Sequence, residues 1–213
     1  MAKAKTASQT TGQIELTRLE DKILCIPIVG LTALIPHKWS EKAKRMMPGH
    51  PEGDAVKKAK GKREPEAEAE ACLYKIGKQL AMPATAFKAA MVGACRFFEQ
   101  PSMVEAKQLI FVEGEGLDQL VPIEGTKILR EDMPRNANGN ADLRYRYAVE
   151  GWSAVLRVRF CATRISAASI VALVDAGGRG GVGDWRPSAP KSSTGTFGTW
   201  RLDESAEVKE VKQ

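Results

Sequence analysis

Histidine is scarce in this chain, with only His37 and His50 among 213 residues. The four cysteines, Cys25, Cys72, Cys95 and Cys161, stand far apart in apolar stretches, with no Cys-x-x-Cys between any two. Zinc-site spacing and the dense cysteine framework of small secreted domains are both missing, so the thiols read as buried and reduced, as in a cytoplasm. No segment approaches the ~18–20 uninterrupted apolar residues of a membrane helix, and the opening MAKAKTASQTTGQ has no apolar signal core. A cytoplasmic protein without a membrane partner is expected. There is no Gly-x-Ser-x-Gly, no His-Glu-x-x-His and no Gly-Lys-Ser/Thr, and the adjacent Glu131 and Asp132 do not make a two-metal carboxylate cluster. A chain that is not an enzyme and uses neither cofactor nor metal is therefore expected. One alternative is a metal-independent ribonuclease, in which His37 beside Lys38 does acid/base work on a ribose hydroxyl.

What is present is a modest positive excess, 32 Lys and Arg against 26 Asp and Glu for a formal charge of +6, which permits an anionic partner. With 43% hydrophobic residues the chain can build a core. Residues 1–12 and 203–213 are polar and aperiodic and read as tails around one domain over 13–202. Within it, 13–19 and the β-branched run 22–34 read as strands, the second broken near Pro27 or Gly30. Ser40 is placed to cap a short helix over Glu41 to Met47, and a basic insertion follows near 48–65. Helices are expected over 66–73 and 83–98, short strands over 109–113, 120–123 and 127–130, and alternating strands over 143–149 and 153–162. Ser166 caps a last helix to about Ala176, Gly177 and Gly178 end it, and 196–202 returns as a strand. This order is that of an α+β, ferredoxin-like or RRM-like split β-α-β core with insertions.

The most distinctive segment is the glycine-rich stretch from Gly177 to Gly198. Gly178-Arg179-Gly180-Gly181-Val182-Gly183 matches Gly-x-Gly-x-x-Gly, but a helix precedes it and Asp184-Trp185-Arg186-Pro187 follows. A dinucleotide site needs a strand before and a helix after, so that the pyrophosphate meets the helix N-terminus. The glycines instead suggest main-chain amides open to a ligand. Arg179, Arg186 and Lys191 add charge, and Trp185 and Phe197 add rings on which bases can stack.

A second group lies in the later strands. Arg144 and Arg146 share one face of theirs, as do Arg157 and Arg159, giving two arginine ladders. From Arg130 to Arg164 there are seven Arg and no Lys, and the guanidinium fork suits phosphate. Cross-strand pairing with Glu131, Asp132, Asp142 and Glu150 would be the structural use of the same ladders. A third cluster, His37-Lys38-Trp39 with Lys42, Lys44 and Arg45, either extends a basic track or forms a solvated helix face.

The elements GGRGGVGDWRP and STGTFGTWRL, between the last helix and last strand of a split β-α-β domain, resemble the RAMP superfamily, RRM-like crRNA-binding and processing subunits of CRISPR effector complexes. The resemblance covers about Ser153 to Leu202 by motif. It implies that Gly177, Gly178, Gly180, Gly181, Gly183 and Gly198 shape a loop near a nucleic-acid backbone, and that subunits assemble side by side as a homo-oligomer. The insert DWRPSAPKSST departs from that pattern. The chain also resembles small proteins of tailed bacteriophages sharing Gly-Val-Gly-(Asp/Glu)-Trp-Arg-Pro and Gly-x-Phe-Gly, here Gly181 to Pro187 and Gly195 to Gly198. The expected function is non-catalytic binding of single-stranded RNA or DNA by a phage-encoded protein, with Tyr145, Tyr147, Trp185 and Phe197 as stacking platforms. A structural or assembly role is the alternative from another class.

Overall fold

β1 (Asp21–Gly30) is the apolar run DKILCIPIVG, and its alternation buries Leu24, Ile26 and Ile28 while Cys25, Pro27 and Val29 stay half-exposed. In the computed structural model of the chain, residues 16, 18–39, 44–45, 63–134, 139, 141–190 and 194–211 are described. The further elements among the described residues are α1 (Pro65–Ala71), β2 (Tyr74–Ile76), β3 (Gln79–Pro83), α2 (Ala84–Ala94) with a 3-10 turn at its end (Cys95–Phe97), α3 (Met103–Leu109), β4 (Ile110–Glu113), β5 (Leu120–Pro122), β6 (Glu124–Asp132), β7 (Arg144–Cys161), α4 (Ala167–Gly178), β8 (Trp200–Leu202) and β9 (Lys209–Val211).

The main sheet runs β4-β7-β1-β8 with every pairing antiparallel. The units β1-α2-β4 and β7-α4-β8 interleave in it, which is the ferredoxin-like, RRM-like order expected. Helices α2 and α4 cover one face. Beneath them Phe87, Met91, Ile170, Leu173 and Val174 meet Ile26, Ile28, Leu156, Val158 and Phe160. Trp200 stands at the centre of this layer, edge-on to Phe87 at 5.6 Å and to Trp152 at 6.4 Å between ring centroids. Both indoles satisfy their buried N–H, Trp200 donating to Val174 O and Trp152 to Thr32 O.

Pro27 explains the free-side edge of β1. β8 pairs with Ile28 to Gly30 and β9 with Ile23 to Cys25, so the proline, which has no N–H to donate, falls in the gap between the two short strands. Its carbonyl accepts from Asp203 N instead. The expected tail from 203 onward is thus partly structured, because β9 completes the ladder.

Three further elements differ from expectation. The strands expected over 143–149 and 153–162 are one 18-residue strand, β7, with a register shift opposite Glu124 and Thr126 beside Gly151 at φ 56°. That bulge re-aims the first half of β7, which leaves β1 and pairs with β6 as a two-stranded ribbon. Helix α3, with a Ser102–Glu105 capping box, precedes β4 where only a strand was expected. A small second sheet, β2-β3-β5, joins the two strands between α1 and α2 to β5, which comes after β4. The expected strand at 13–19, the helix over 41–47 and the insertion near 48–65 lie largely outside the described residues. No helix among the described residues is long and apolar enough to cross a membrane.

Candidate nucleic-acid interface

The glycine-rich stretch packs against itself. A Cβ on Gly178 would stand 1.9 Å from Trp200 O, and one on Gly198, whose φ is 67°, 1.9 Å from Val182 O. Neither position accepts a side chain without moving backbone. The amides are correspondingly engaged: Gly180 and Gly181 donate to Gly177 O, Val182 to Gly198 O, Asp184 to Ile35 O, Phe197 to Trp185 O and Gly198 to Ala33 O. This corrects the expectation that the loop amides around Gly178, Gly180 and Gly181 face a ligand. They build a platform instead, locked to residues 33–35, where Leu34 forms a two-way bridge to Val149 of β7.

The platform delivers Asp184 and Trp185 to the β6–β7 ribbon. Asp184 Oδ2 lies 2.8 Å from His37 Nδ1 and 2.7 Å from Arg146 Nη1. Burial pushes the Asp184 carboxyl up, but the His37 hydrogen bond and the Arg146 charge outweigh it, and its pKa falls below the ordinary value. Arg146 is 1% exposed. Burial lowers its pKa and Asp184 opposes that shift, yet a guanidinium stays charged at any ordinary pH. Its contact with Asp184 is close but poorly aligned, so both terminal nitrogens are buried without a hydrogen-bond acceptor, a costly state for a charged group. Cys72 borders the cluster, its thiol pushed up by burial against the pull of Arg146.

Cations and rings interleave along the ribbon. The Arg146 guanidinium carbon lies 5.0 Å from the Trp185 ring centroid and that of Arg130 5.0 Å from Phe197, while Trp185 and Phe197 are 6.1 Å apart. Arg130 and Arg146 are direct cross-strand partners, which puts both on the side of the ribbon facing the platform. Tyr145 and Tyr147, on the other side, are covered by Arg63 at 5.1 Å and Lys127 at 4.8 Å. Carboxylates hold these cations in place: Arg63 on Glu68, Lys127 on Glu70, Arg130 on Asp132 and Arg144 on Asp142. Trp185 is held at φ 52°, a conformation costly for a non-glycine residue.

The second arginine ladder is held in the same manner, with Arg159 4.4 Å from the Phe111 ring centroid, but on a different face. Arg157 pairs with Glu113, and Arg159 with both Glu113 and Asp21, carboxylates other than the four expected. The helix-free sheet face beside them holds a cleft of about 560 Å³ whose lining includes Glu124, Asp203 and Glu207, so this face repels a polyanion as much as it attracts one. Arg146 is not on an open face either, since Asp184 and Trp185 cover it. Of the residues singled out in the sequence, Arg144, Arg146, Trp185 and Phe197 come together on the ribbon. Gly183 sits at the platform's edge, and Arg186 donates to its carbonyl. Arg157 and Arg159 lie further along β7, Arg179 is exposed at the end of α4, and Lys191 is outside the described residues. Arg130, Lys127, Arg63 and Asp184 are the members not singled out. Arg130 could have been found as the residue opposite Arg146 in a hairpin, whereas nothing local marks Asp184 as the partner of His37. Among the described residues no group of three or more His, Cys, Asp or Glu side chains is placed to hold a metal ion.

The molecule's class is set by its strand order: an α+β, ferredoxin-like domain. No family model matches the chain, and no curated protein does. Among solved structures, a chain of the cryo-EM structure of the Type III-B Cmr-beta bound to cognate target RNA is similar at 10% identity and a TM-score of 0.49, over 90% of this chain and 61% of that one. The chain thus spans about three-fifths of that neighbour's length.

Proposed function

We propose that the protein binds single-stranded nucleic acid along the β6–β7 ribbon and the adjoining edge of the glycine-rich platform. The observation that carries this reading is the interleaving there of Arg63, Lys127, Arg130 and Arg146 with Tyr145, Tyr147, Phe197 and Trp185. Single strands are bound without sequence preference by surfaces that offer phosphates a cation and bases a ring at short intervals, and guanidinium–ring pairs serve both ends. The place of the glycine-rich segment between α4 and β8 supports a RAMP-like reading, in which copies line up along the bound strand. A phage protein of replication, recombination or defence is the setting this proposal fits. Fluorescence anisotropy with labelled single-stranded RNA, single-stranded DNA and duplex DNA tests it. Both single strands should bind at least about tenfold more tightly than the duplex. Equal affinity for the duplex, or no binding, overturns the reading.

A second reading is favoured by one observation, the His37–Asp184 pair. His37 donating from Nδ1 to a carboxylate leaves Nε2 as the acceptor of the neutral ring, the arrangement of a general base beside a cation. As a ribonuclease the protein would take the proton from a 2′-hydroxyl at His37 Nε2. The 2′-oxygen would attack the adjacent phosphorus, and the P–O5′ bond would break with the proton passed to the leaving 5′-oxygen, giving a 2′,3′-cyclic phosphate and a 5′-hydroxyl. Cleavage of end-labelled RNA, lost in His37→Ala, supports this; RNA recovered intact excludes it.

A further inference from the structure

The outer faces of α2 and α4 lack what exposed helix faces normally carry. α2, ATAFKAAMVGA, has one charged residue in 11, and α4, AASIVALVDAGG, has one in 12. Outward positions of a surface helix are ordinarily charged or long and polar, but here, Lys88, Ser169 and Asp175 aside, they include Thr85, Ala89 and Gly93 on α2 and Ala168 and Ala172 on α4, all exposed or half-exposed. Gly93 has no reason within the chain to be glycine: it sits inside a helix, where glycine is unfavourable, and a Cβ there would meet nothing within 4 Å. Beside it a cleft of about 210 Å³ opens between α2 and the start of the glycine-rich platform, floored by Ala90, Gly93, Ala94 and Ala176. At one end stand Phe97, 59% exposed, and Phe98, 41% exposed. Arg96 and Arg179 border the cleft, and neither forms an ion pair among the described residues, unlike Arg130, Arg144, Arg146, Arg157 and Arg159.

We infer that this face is a docking groove for an amphipathic helix of a partner protein, its apolar seam on Ala89, Gly93 and Phe97 and its acidic end on Arg96 and Arg179. The small floor residues let a backbone approach closely, and the two unpaired guanidiniums select carboxylates. A helix is the fitting occupant because the groove, between α2 and the start of the glycine-rich platform, is floored by small side chains and presents no strand edge to extend. The site is separate from the β6–β7 ribbon and stands whether or not the ribbon binds nucleic acid.

The test is selection, on the full chain, from a displayed library of amphipathic helical peptides about four turns long with randomised outward positions, followed by anisotropy titration of the enriched peptides. Enrichment of Asp and Glu toward one end is expected. So is an affinity loss of about tenfold or more in Gly93→Leu and in Arg96→Glu with Arg179→Glu, and hydrogen-exchange protection confined to α2 with Arg96 to Phe98, α4 with Arg179 and Gly180, and the adjoining Pro187 and Ser188. Gly93→Leu replaces a poor helix former in open space, so its Tm should equal or exceed that of the wild type, which separates lost docking from lost folding. Peptides without acidic bias, affinities unchanged by both variants, or protection elsewhere overturn the inference. Sedimentation equilibrium of the chain alone supplies a further outcome: a dimer abolished by Gly93→Leu assigns the groove to a second copy and overturns the acidic partner.

Discussion

Arg146 and Trp185 are stacked, with the guanidinium carbon 5.0 Å from the ring centroid, and Asp184 is 2.7 Å from the same guanidinium. A residue of the central strand is thereby clamped by two consecutive residues of the glycine-rich platform. The charge is desolvated, so its carboxylate partner matters more than at a surface pair. Asp184→Asn should cost about 3 kcal/mol or more in urea unfolding, because it strands a buried cation. A cost of a few tenths of a kcal/mol, the exposed-pair value, would show that Arg146 is solvated in solution.

Acid should dissolve the same clamp. The Asp184 pKa is lowered in the fold, so its stabilisation is fully present above the unfolded-state value of about 4 and is lost as pH falls through the folded value. The stability gap between wild type and Asp184→Asn should hold from neutral pH to about pH 5 and close progressively below pH 4. Urea midpoints measured at each pH for both proteins check this; a gap that widens on acidification contradicts it.

The glycines at positive φ divide by what surrounds them. Gly198→Ala forces a Cβ onto Val182 O at a positive φ and should cost about 3 kcal/mol or prevent folding. Gly116→Ala, at φ 66° with nothing within 4 Å, pays only the backbone term of about 1 kcal/mol. Thermal denaturation of the two variants gives the order, and near-equal Tm losses would mean that the platform is less tightly closed than it is drawn.

The fold was largely legible because its signals are periodic. The β-branched run of β1, the helix of Phe87 and Met91 and the Ser166 cap each announced their element, and their order gave the split β-α-β core. Tertiary choices were not legible. Gly151 looked like a break between two strands, since only pairing with β6 turns a glycine there into a bulge in one long strand. Lys209 to Val211 looked like tail because β9 owes its existence to the edge beside Pro27, not to its own sequence. At the site, the rings and arginines were visible as residue types, but their partners were not. Alternation put Arg157 and Arg159 on a face without revealing that Glu113 and Asp21 would meet them there, and glycine content could not distinguish amides offered to a ligand from amides spent on the chain's own carbonyls.

The two arginine groups should therefore behave differently toward nucleic acid. Arg157→Ala with Arg159→Ala removes side chains on the sheet face whose cleft is lined by Glu124, Asp203 and Glu207, and should change affinity less than about threefold. Tyr145→Ala with Tyr147→Ala removes two stacking rings and should weaken binding by about 2 kcal/mol or more. Anisotropy titrations under one salt condition compare them directly.

The central claim is that single strands are held by the cations of the β6–β7 ribbon, and the salt dependence of binding tests it most directly. The logarithm of the association constant should fall linearly with the logarithm of salt concentration, and Arg130→Ala with Arg144→Ala should make that slope shallower by about 1.4, ~0.7 for each of two phosphate contacts on a single strand. A slope unchanged in that double variant but flattened in Arg157→Ala with Arg159→Ala would move the site to the open sheet face and contradict the account.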